Sequence, residues 1–421
     1  MVSSVLNDRR IVPGDILHAL INLQQLVFEV TDACNLRCKY CAYGDMYFGY
    51  DKREDSFLPI EKGKAIIDYL SDIWDAHITS AQTPMTYVSF YGGEPLMNMP
   101  FIIAIVDYVK KKKLRRKIQF AMTTNGMLLD KYEDFLAENN FNVLISLDGD
   151  EYGHSYRVTK AGTNSHPRVY GNIKHLQEKH PEFFKEHVNF NTVLHNRNDV
   201  ESVFNYVMTE FGKEPQITEL NNSNIREDKK AEFDAMYKNK AESIDKATDR
   251  EGLVNRMFMG DANTADLLLF LHQHSGNFFK DYSDLLINPQ KMHYCPTGTC
   301  IPFGKKMFVT VNGKIIQCER ISQEYGIGQI DDSNKVHLDL EEIAAKVNAL
   351  MDKVQSQCSA CFKKKSCIQC LYYIDGINTP KAVCQAHMNK KMFEEYAGGC
   401  MAYLYEHPDL YPRLMKDVAV S

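Results

Sequence analysis

Twelve cysteines are spread so unevenly along 421 residues that their placement constrains this chain more than any other feature. Three stand at positions 34, 38 and 41, the next 253 residues hold none, and nine fall between 295 and 400. Cysteines used as small apolar core residues would be scattered more evenly. In a reducing compartment, clustered cysteines bind metal before they form disulfides. Two cysteine-rich regions around a cysteine-free middle therefore predict two metal-binding modules.

The middle reads as βα repeats. Strand-like runs are Leu26–Val30, Tyr87–Tyr91, Ile118–Met122, Val143–Leu147 and Val188–Leu194, with a weaker one at Gln216–Leu220. Helical periodicity lies between them at Ile60–Trp74, Phe101–Lys113, Asp130–Glu138, Gly171–Glu178 and Asp199–Phe211. This alternation predicts an α/β fold with a parallel sheet, open or closed into a barrel, whose functional groups sit where strands end. Residues 1–24 form an N-terminal extension, 225–285 are charged and helix-rich, and 401–421 form a terminal helix and tail. Phe308 to Ile316 reads as a hairpin, because Asn312-Gly313 favours a type I′ turn. The basic run Lys110 to Lys117, broken only by Leu114, falls at a predicted helix C-terminus, where cations complement the dipole.

Composition sets limits. With 44% hydrophobic and 25% charged residues the chain is globular, not disordered or fibrous. Its charge, 49 − 55 = −6, argues against a nucleic-acid partner. No run of ~18 apolar residues predicts a membrane helix. The first 30 residues hold Asp8, Arg9, Arg10 and Asp15 and no secretory signal, so the expected location is the cytoplasm.

Cys34, Cys38 and Cys41 form C-x3-C-x2-C directly after the first strand. Three thiolates on one loop can hold three irons of a [4Fe–4S] cluster, with the fourth iron open to another ligand. Zinc normally wants a fourth Cys or His nearby, and the loop has none. This loop, with Tyr40 before its last cysteine, resembles the radical S-adenosylmethionine (SAM) superfamily. The match extends in order to Tyr91-Gly92-Gly93-Glu94-Pro95, Thr123-Thr124-Asn125-Gly126, Ile145 to Gly149 with Tyr156-Arg157, and Asn191 to Leu194. The resemblance implies a partial (β/α)6 TIM-like barrel over 25–285 that binds a [4Fe–4S] cluster and S-adenosylmethionine. It assigns cofactor contacts to Tyr40, Gly92, Gly93, Glu94, Thr124, Asn125, Ser146, Asp148, Arg157 and Leu194. Gly92 to Glu94 would face the methionine amino group, Ser146, Asp148 and Arg157 the ribose and carboxylate, and Leu194 the adenine. In that family one electron from the reduced cluster cleaves the sulfonium, giving a 5′-deoxyadenosyl radical that abstracts hydrogen from substrate.

Cys300, Gly313 and Cys318, followed by Cys358, Cys361, Cys367, Cys370 and Cys384, resemble the SPASM extension of peptide-modifying radical enzymes, placed here at 286–400. One spacing departs from that pattern: two residues, not three, separate Cys367 from Cys370. The resemblance implies two auxiliary [4Fe–4S] clusters, one on Cys295, Cys300, Cys318 and Cys370, the other on Cys358, Cys361, Cys367 and Cys384. Cys400 is left over and reads as a packed thiol. Spacing alone leaves structural zinc open.

The resemblance spans about 25–400 and implies a peptide maturase that installs a thioether or carbon–carbon crosslink, or another modification, in a ribosomally made precursor peptide. The alternatives are an anaerobic sulfatase maturase, which forms formylglycine, and an inactive zinc-stabilised peptide-binding scaffold. Sulfatase maturases carry an Asp base after the cysteine matching Cys318; here Glu319 and then Arg320 follow. Glu319 is thus the candidate catalytic base, its bland reading being a surface Glu paired with Arg320 or a lysine. Expected partners are the precursor peptide and an electron donor such as flavodoxin or ferredoxin; with 24 residues too few for a leader-binding domain, a separate leader-peptide-binding protein or residues 225–290 would recognise the precursor. Met46 to Tyr50 would line a substrate entrance or pack as core.

Overall fold

Side chains alternate across a strand, so a strand with one apolar face commits that face to helices and leaves the other for chemistry. The computed structural model describes residues 10–81, 85–257, 262–274, 298–364 and 367–417. Six strands follow this rule: β1 (Gln25–Thr31), β2 (Met85–Gly92), β3 (Lys117–Thr124), β4 (Asn142–Ser146), β5 (Val188–Leu194) and β6 (Gln216–Glu219). They are parallel and adjacent in chain order. Helix α1 (Pro13–Ile21) precedes β1, and α2 (Ile60–Ala76), α3 (Met99–Lys112), α4 (Leu129–Glu138), α5 (His166–Lys179) with α6 (Pro181–His187), and α7 (Val200–Phe211) form the crossovers. Helices α8 (Lys230–Met236) and α9 (Lys240–Asp245) follow β6.

The apolar face is a run of aromatic contacts. Phe28 and Phe90 pack on each other and on Phe101 of α3, with ring centroids 5.4–6.5 Å apart. Phe141 continues the stack to Phe90 and Phe120. Phe28, Phe90 and Phe101 are almost wholly buried, each worth roughly 1.5–3 kcal/mol. Gly63 lets α2 approach: a Cβ there would lie 2.7 Å from the Phe101 ring.

The sheet continues past β1. Strand β7 (Lys306–Val309) pairs with it in parallel, and β8 (Lys314–Ile316), β9 (Gly328–Ile330) and β10 (Val336–His337) follow antiparallel. The β7–β8 turn differs from the type I′ turn expected of Asn312-Gly313. Gly313 is left-handed at φ +78°, Asn312 is not, and the Gly313 amide donates to Thr310 O at 2.8 Å. The loop is longer because the Val311 amide donates to Glu29 Oε2 at 2.9 Å, which ties the turn to β1.

The basic run proves structural. Lys110, Lys111 and Lys112 occupy the last turn of α3, and buried Arg116 donates to Ile21 O (2.6 Å) and Leu23 O (3.1 Å). Met46 and Tyr47 are buried with Leu220, Phe233 and Met236, which is core packing, although Phe48 stays exposed.

The chain divides into two compact units. The first, residues 14–249 and 301–340, holds all these elements. The second, residues 1–13, 250–300 and 341–421, contains α10 (Arg250–Arg256), α11 (Ala262–His274), α12 (Leu340–Asp352, entering at Glu341), α13 (Gln355–Ala360), α14 (Lys390–Glu406) and α15 (Leu410–Asp417). Cys400 packs there against Leu267, Leu268, Leu271 and Leu414, as a buried thiol.

Candidate functional site

The loop leaving β1 carries half-buried Cys34, Cys38 and Cys41. Its backbone is clamped: the Arg37 amide donates to Val158 O (2.7 Å) and the Lys39 amide to Tyr156 O (3.0 Å). Two donors reach Cys34 Sγ, the Leu36 amide at 3.4 Å and Asn125 Nδ2 at 3.8 Å. Burial pushes the Cys34 thiol up to about 11, and it raises Cys38 too, with the charges of Cys41 and Cys34 adding. Thiolates that repel one another in a buried loop call for a cationic centre. Among the described residues no three His, Cys, Asp or Glu side chains converge on a single ion. A four-iron cluster needs no such convergence, since each thiolate binds a different iron, so this donor set fits one with three protein ligands.

The end of β2 lies against the same loop. A Cβ on Gly92 would stand 2.2 Å from Thr31 O, and one on Gly93 2.0 Å from Ala33 O. Only glycine allows that approach, and Gly92 sits at φ +131°. Glu94 is turned inward and fully buried. It accepts from the Leu96 amide (3.1 Å), Thr124 Oγ1 (2.7 Å) and the Asn125 amide (2.8 Å). Burial raises its carboxyl to about 7 despite those bonds. Glu94 and Thr124 thus tie β2 to β3, while the Asn125 side chain faces Asn35 Oδ1 at 2.7 Å and Cys34.

Asp148 is a hub after β4. It takes Arg157 Nε (2.8 Å) and Nη2 (3.0 Å), the Val193 amide (3.0 Å) and the Tyr40 hydroxyl. Burial opposes its ionisation, but the charge and hydrogen bonds of Arg157, together with His195 and His154, hold the carboxyl well below the usual range. The hub joins the cysteine loop to β4 and β5, with Arg157 also lying 5.4 Å from the Tyr40 ring centroid. Ser146 is buried at the end of β4, and Leu194, fully buried at the end of β5, can offer a ligand only its backbone. His195 follows, fully buried beside Tyr40 and Tyr156, with Nε2 3.8 Å from Asp148 Oδ2 and beyond hydrogen-bond distance.

The inner face of the sheet mixes polar residues with apolar ones such as Val27 and Met122. Gln25, Ser89, Thr123, Asn142, Asn189 and Gln216 line a cavity of about 400 Å³ together with Lys306 and Glu319. Glu319 is not on the surface: its side chain is 19% exposed, and Lys306 Nζ reaches both its oxygens, at 2.9 and 3.0 Å. Burial raises the Glu319 carboxyl, but Lys306 more than compensates and keeps it below its ordinary value. Cys318 Sγ lies 3.6 Å from Glu319 Oε2.

In the second unit, Cys358 and Cys361 stand one helical turn apart, the Cys361 amide donating to Cys358 O at 3.2 Å. The Cys384 thiol is raised by burial and by the charges of Cys367 and Cys361, which places these three together. Its amide donates to Gln357 Oε1 at 2.9 Å. Cys370 feels Cys300 in the same way. Cys318 belongs to the first unit, and Cys295 lies outside the described residues.

Sequence reasoning missed Arg53, Lys306, His195 and Glu29. His195 had a signal, its place directly after a strand end. Glu29 had one too, as an acid within an apolar strand five residues before Cys34, whereas Arg53 and Lys306 had none, because only the fold brings them to the site. Glu29, on the inner face of β1, is buried and raised to about 7.

Residues 28–207 match the family model of the radical SAM superfamily. The chain carries a radical SAM domain. It is 28% identical over 217 residues to the radical SAM cyclopropyl synthase TigE of Paramaledivibacter caminithermalis, covering 50% of this chain and 42% of that protein. It is 32% identical over 179 residues to a cysteine-type anaerobic sulfatase-maturating enzyme of Clostridium novyi, covering 41% and 46%. The matches thus span less than half the length of these relatives. The solved structure of native anSMEcpe with bound AdoMet shares the α/β fold, at TM-score 0.59 and 18% identity, covering 94% of this chain and all of that one. No helix among the described residues is long and apolar enough to cross a membrane.

Proposed function

We propose that this chain is a radical SAM peptide maturase with a SPASM-type region. The reading is carried by one observation: a clamped three-cysteine loop abuts Gly92-Gly93 in a barrel whose cavity holds an ionised Glu319. Cys34, Cys38 and Cys41 would hold the [4Fe–4S] cluster. When bound, cluster and S-adenosylmethionine together supply a 5′-deoxyadenosyl radical. The chain's own work is to orient and to exclude water. Glu94 and Asp148 fix the strand ends, and Tyr40 joins the loop to the Asp148 hub.

Towards the cysteine loop the cavity is lined by Tyr91, Thr123 and Glu319, whereas Gln25, Asn142, Asn189 and Gln216 line it at the strand starts, its opposite end. A volume of about 400 Å³ admits a short segment, not a folded domain. Glu319 would take a proton from substrate; its contact with Lys306 supports a carboxylate that is ionised between turnovers. Cys300 near Cys370, and Cys361 near Cys367 and Cys384, support auxiliary clusters on the sets the resemblance implies, which also include Cys295, Cys318 and Cys358. Their role would be to take the surplus electron, which a flavodoxin- or ferredoxin-like donor returns to the first cluster. A separate leader-peptide-binding protein would present the precursor.

A second reading, formylglycine formation on a sulfatase, is favoured by the relative of that name and by an acid directly after Cys318. Replacing Glu319 with Gln tests what both readings share. S-adenosylmethionine cleavage is expected within about 2-fold of wild type, while product formation falls roughly 100-fold. Unchanged product yield would remove Glu319 from the chemistry.

A further inference from the structure

Among the described residues, Arg53 carries a guanidinium in the barrel site whose buried nitrogens are left unmatched. Its Nε and Nη2 are shielded from solvent and bond to nothing. A buried donor without a partner costs on the scale of a lost charged hydrogen bond, so such a pair marks a place where an acceptor belongs. Glu29, Asp32 and Asp51 share its surroundings. Each is engaged elsewhere: Glu29 by the Val311 amide, Asp32 by the Glu54 and Ser56 amides, and Asp51 by Lys314. The guanidinium is also held in place, 4.9 Å from the Tyr43 ring centroid.

Its position indicates the acceptor. A Cβ on Gly93 would fall 2.7 Å from Arg53 Nη2 and 2.0 Å from Ala33 O, the residue before Cys34. Arg53 therefore lies over the glycine pair and beside the first cysteine. The sequence had offered Arg157 for the carboxylate of S-adenosylmethionine, but both Nε and Nη2 of Arg157 are committed to Asp148. We propose that Arg53 holds the methionine carboxylate of S-adenosylmethionine. This rests on the radical SAM reading of the site. An α-carboxylate and an α-amino group share one carbon, so a cation for the first must adjoin whatever contacts the second. The glycine pair is where the amino group is expected, and Arg53 adjoins it. A planar guanidinium offering Nε–H and Nη2–H side by side matches a carboxylate in bidentate fashion.

The test compares two ligands that differ only in that carboxylate: S-adenosylmethionine and its decarboxylated form. Their affinities for the full-length, cluster-reconstituted protein are measured anaerobically by equilibrium dialysis, for wild type, Arg53→Met and Arg53→Lys. In Arg53→Met, S-adenosylmethionine is expected to bind roughly 10- to 100-fold more weakly, and the decarboxylated form within about 3-fold of wild type. Arg53→Lys should recover part of the loss, as it keeps the charge but not the fork. Iron content per chain equal to wild type shows that the variants fold. Equal losses for both ligands, or unchanged S-adenosylmethionine affinity, would overturn the assignment. Failure of the wild type to bind either ligand would overturn the radical SAM reading instead, without involving the variants.

Discussion

At the scale of single residues, Glu94, Asp148 and His154 are buried polar groups held by hydrogen bonds, and their protonation has consequences. His154 is fully buried; its Nδ1 accepts from the Asp148 amide (3.3 Å) and its Nε2 meets Ser165 Oγ (3.0 Å). Ser165 Oγ itself donates to Arg157 O at 2.7 Å, so Nε2 carries the proton and the ring is neutral. Burial lowers its pKa to about 3. An unfolded histidine titrates near 6.5, so acid favours the unfolded chain. This contribution is complete above about pH 6.5 and is lost towards pH 3, at up to ~1.4 kcal/mol per pH unit. Denaturant midpoints at pH 7.5 and 5.5 should diverge less in His154→Asn than in wild type. An identical pH dependence would mean that His154 is not held neutral.

At the scale of elements, the strands and helices of the barrel were legible because each carries its own period. The strand run Val188–Leu194 reads directly from sequence, and the other repeats shift only by a few residues at their ends. What was not legible depends on partners distant in sequence. The Asn312-Gly313 turn follows Glu29, 282 residues away, and not its own local preference. Glu319 reads as a surface acid until β7 brings Lys306 onto it. The sequence offers Asp148 and Arg157 as cofactor contacts, and only the fold shows that they bind each other. Arg53 lies in a stretch without any motif. Helix α7 gives a local test: Asp199 Oδ1 accepts from the Ser202 amide (2.8 Å) and Ser202 Oγ from the Asp199 amide (3.2 Å), a reciprocal cap. Asp199→Ala should cost about 1 kcal/mol of stability while leaving S-adenosylmethionine affinity unchanged. A change in affinity would show that the helix end is coupled to the site.

At the scale of the whole molecule, the cysteines follow two logics. Cys34, Cys38 and Cys41 lie on one loop of the first unit, whereas Cys358, Cys361, Cys367, Cys370 and Cys384 crowd into the second. The first group needs a barrel to be useful, since the donors at Cys34 come from the loop and from the end of β3. The second joins a short C-x2-C turn at Cys358 and Cys361 to cysteines far along the chain, Cys384 lying near Cys361 and Cys370 near Cys300. The account's central claim concerns the first group, and the most direct measurement is 5′-deoxyadenosine released from S-adenosylmethionine by the reduced, reconstituted chain and by its Cys34→Ala variant. Release by the wild type and none above background by the variant is the predicted result. Release that persists in Cys34→Ala, or a wild type that carries its cluster and releases none, would contradict it.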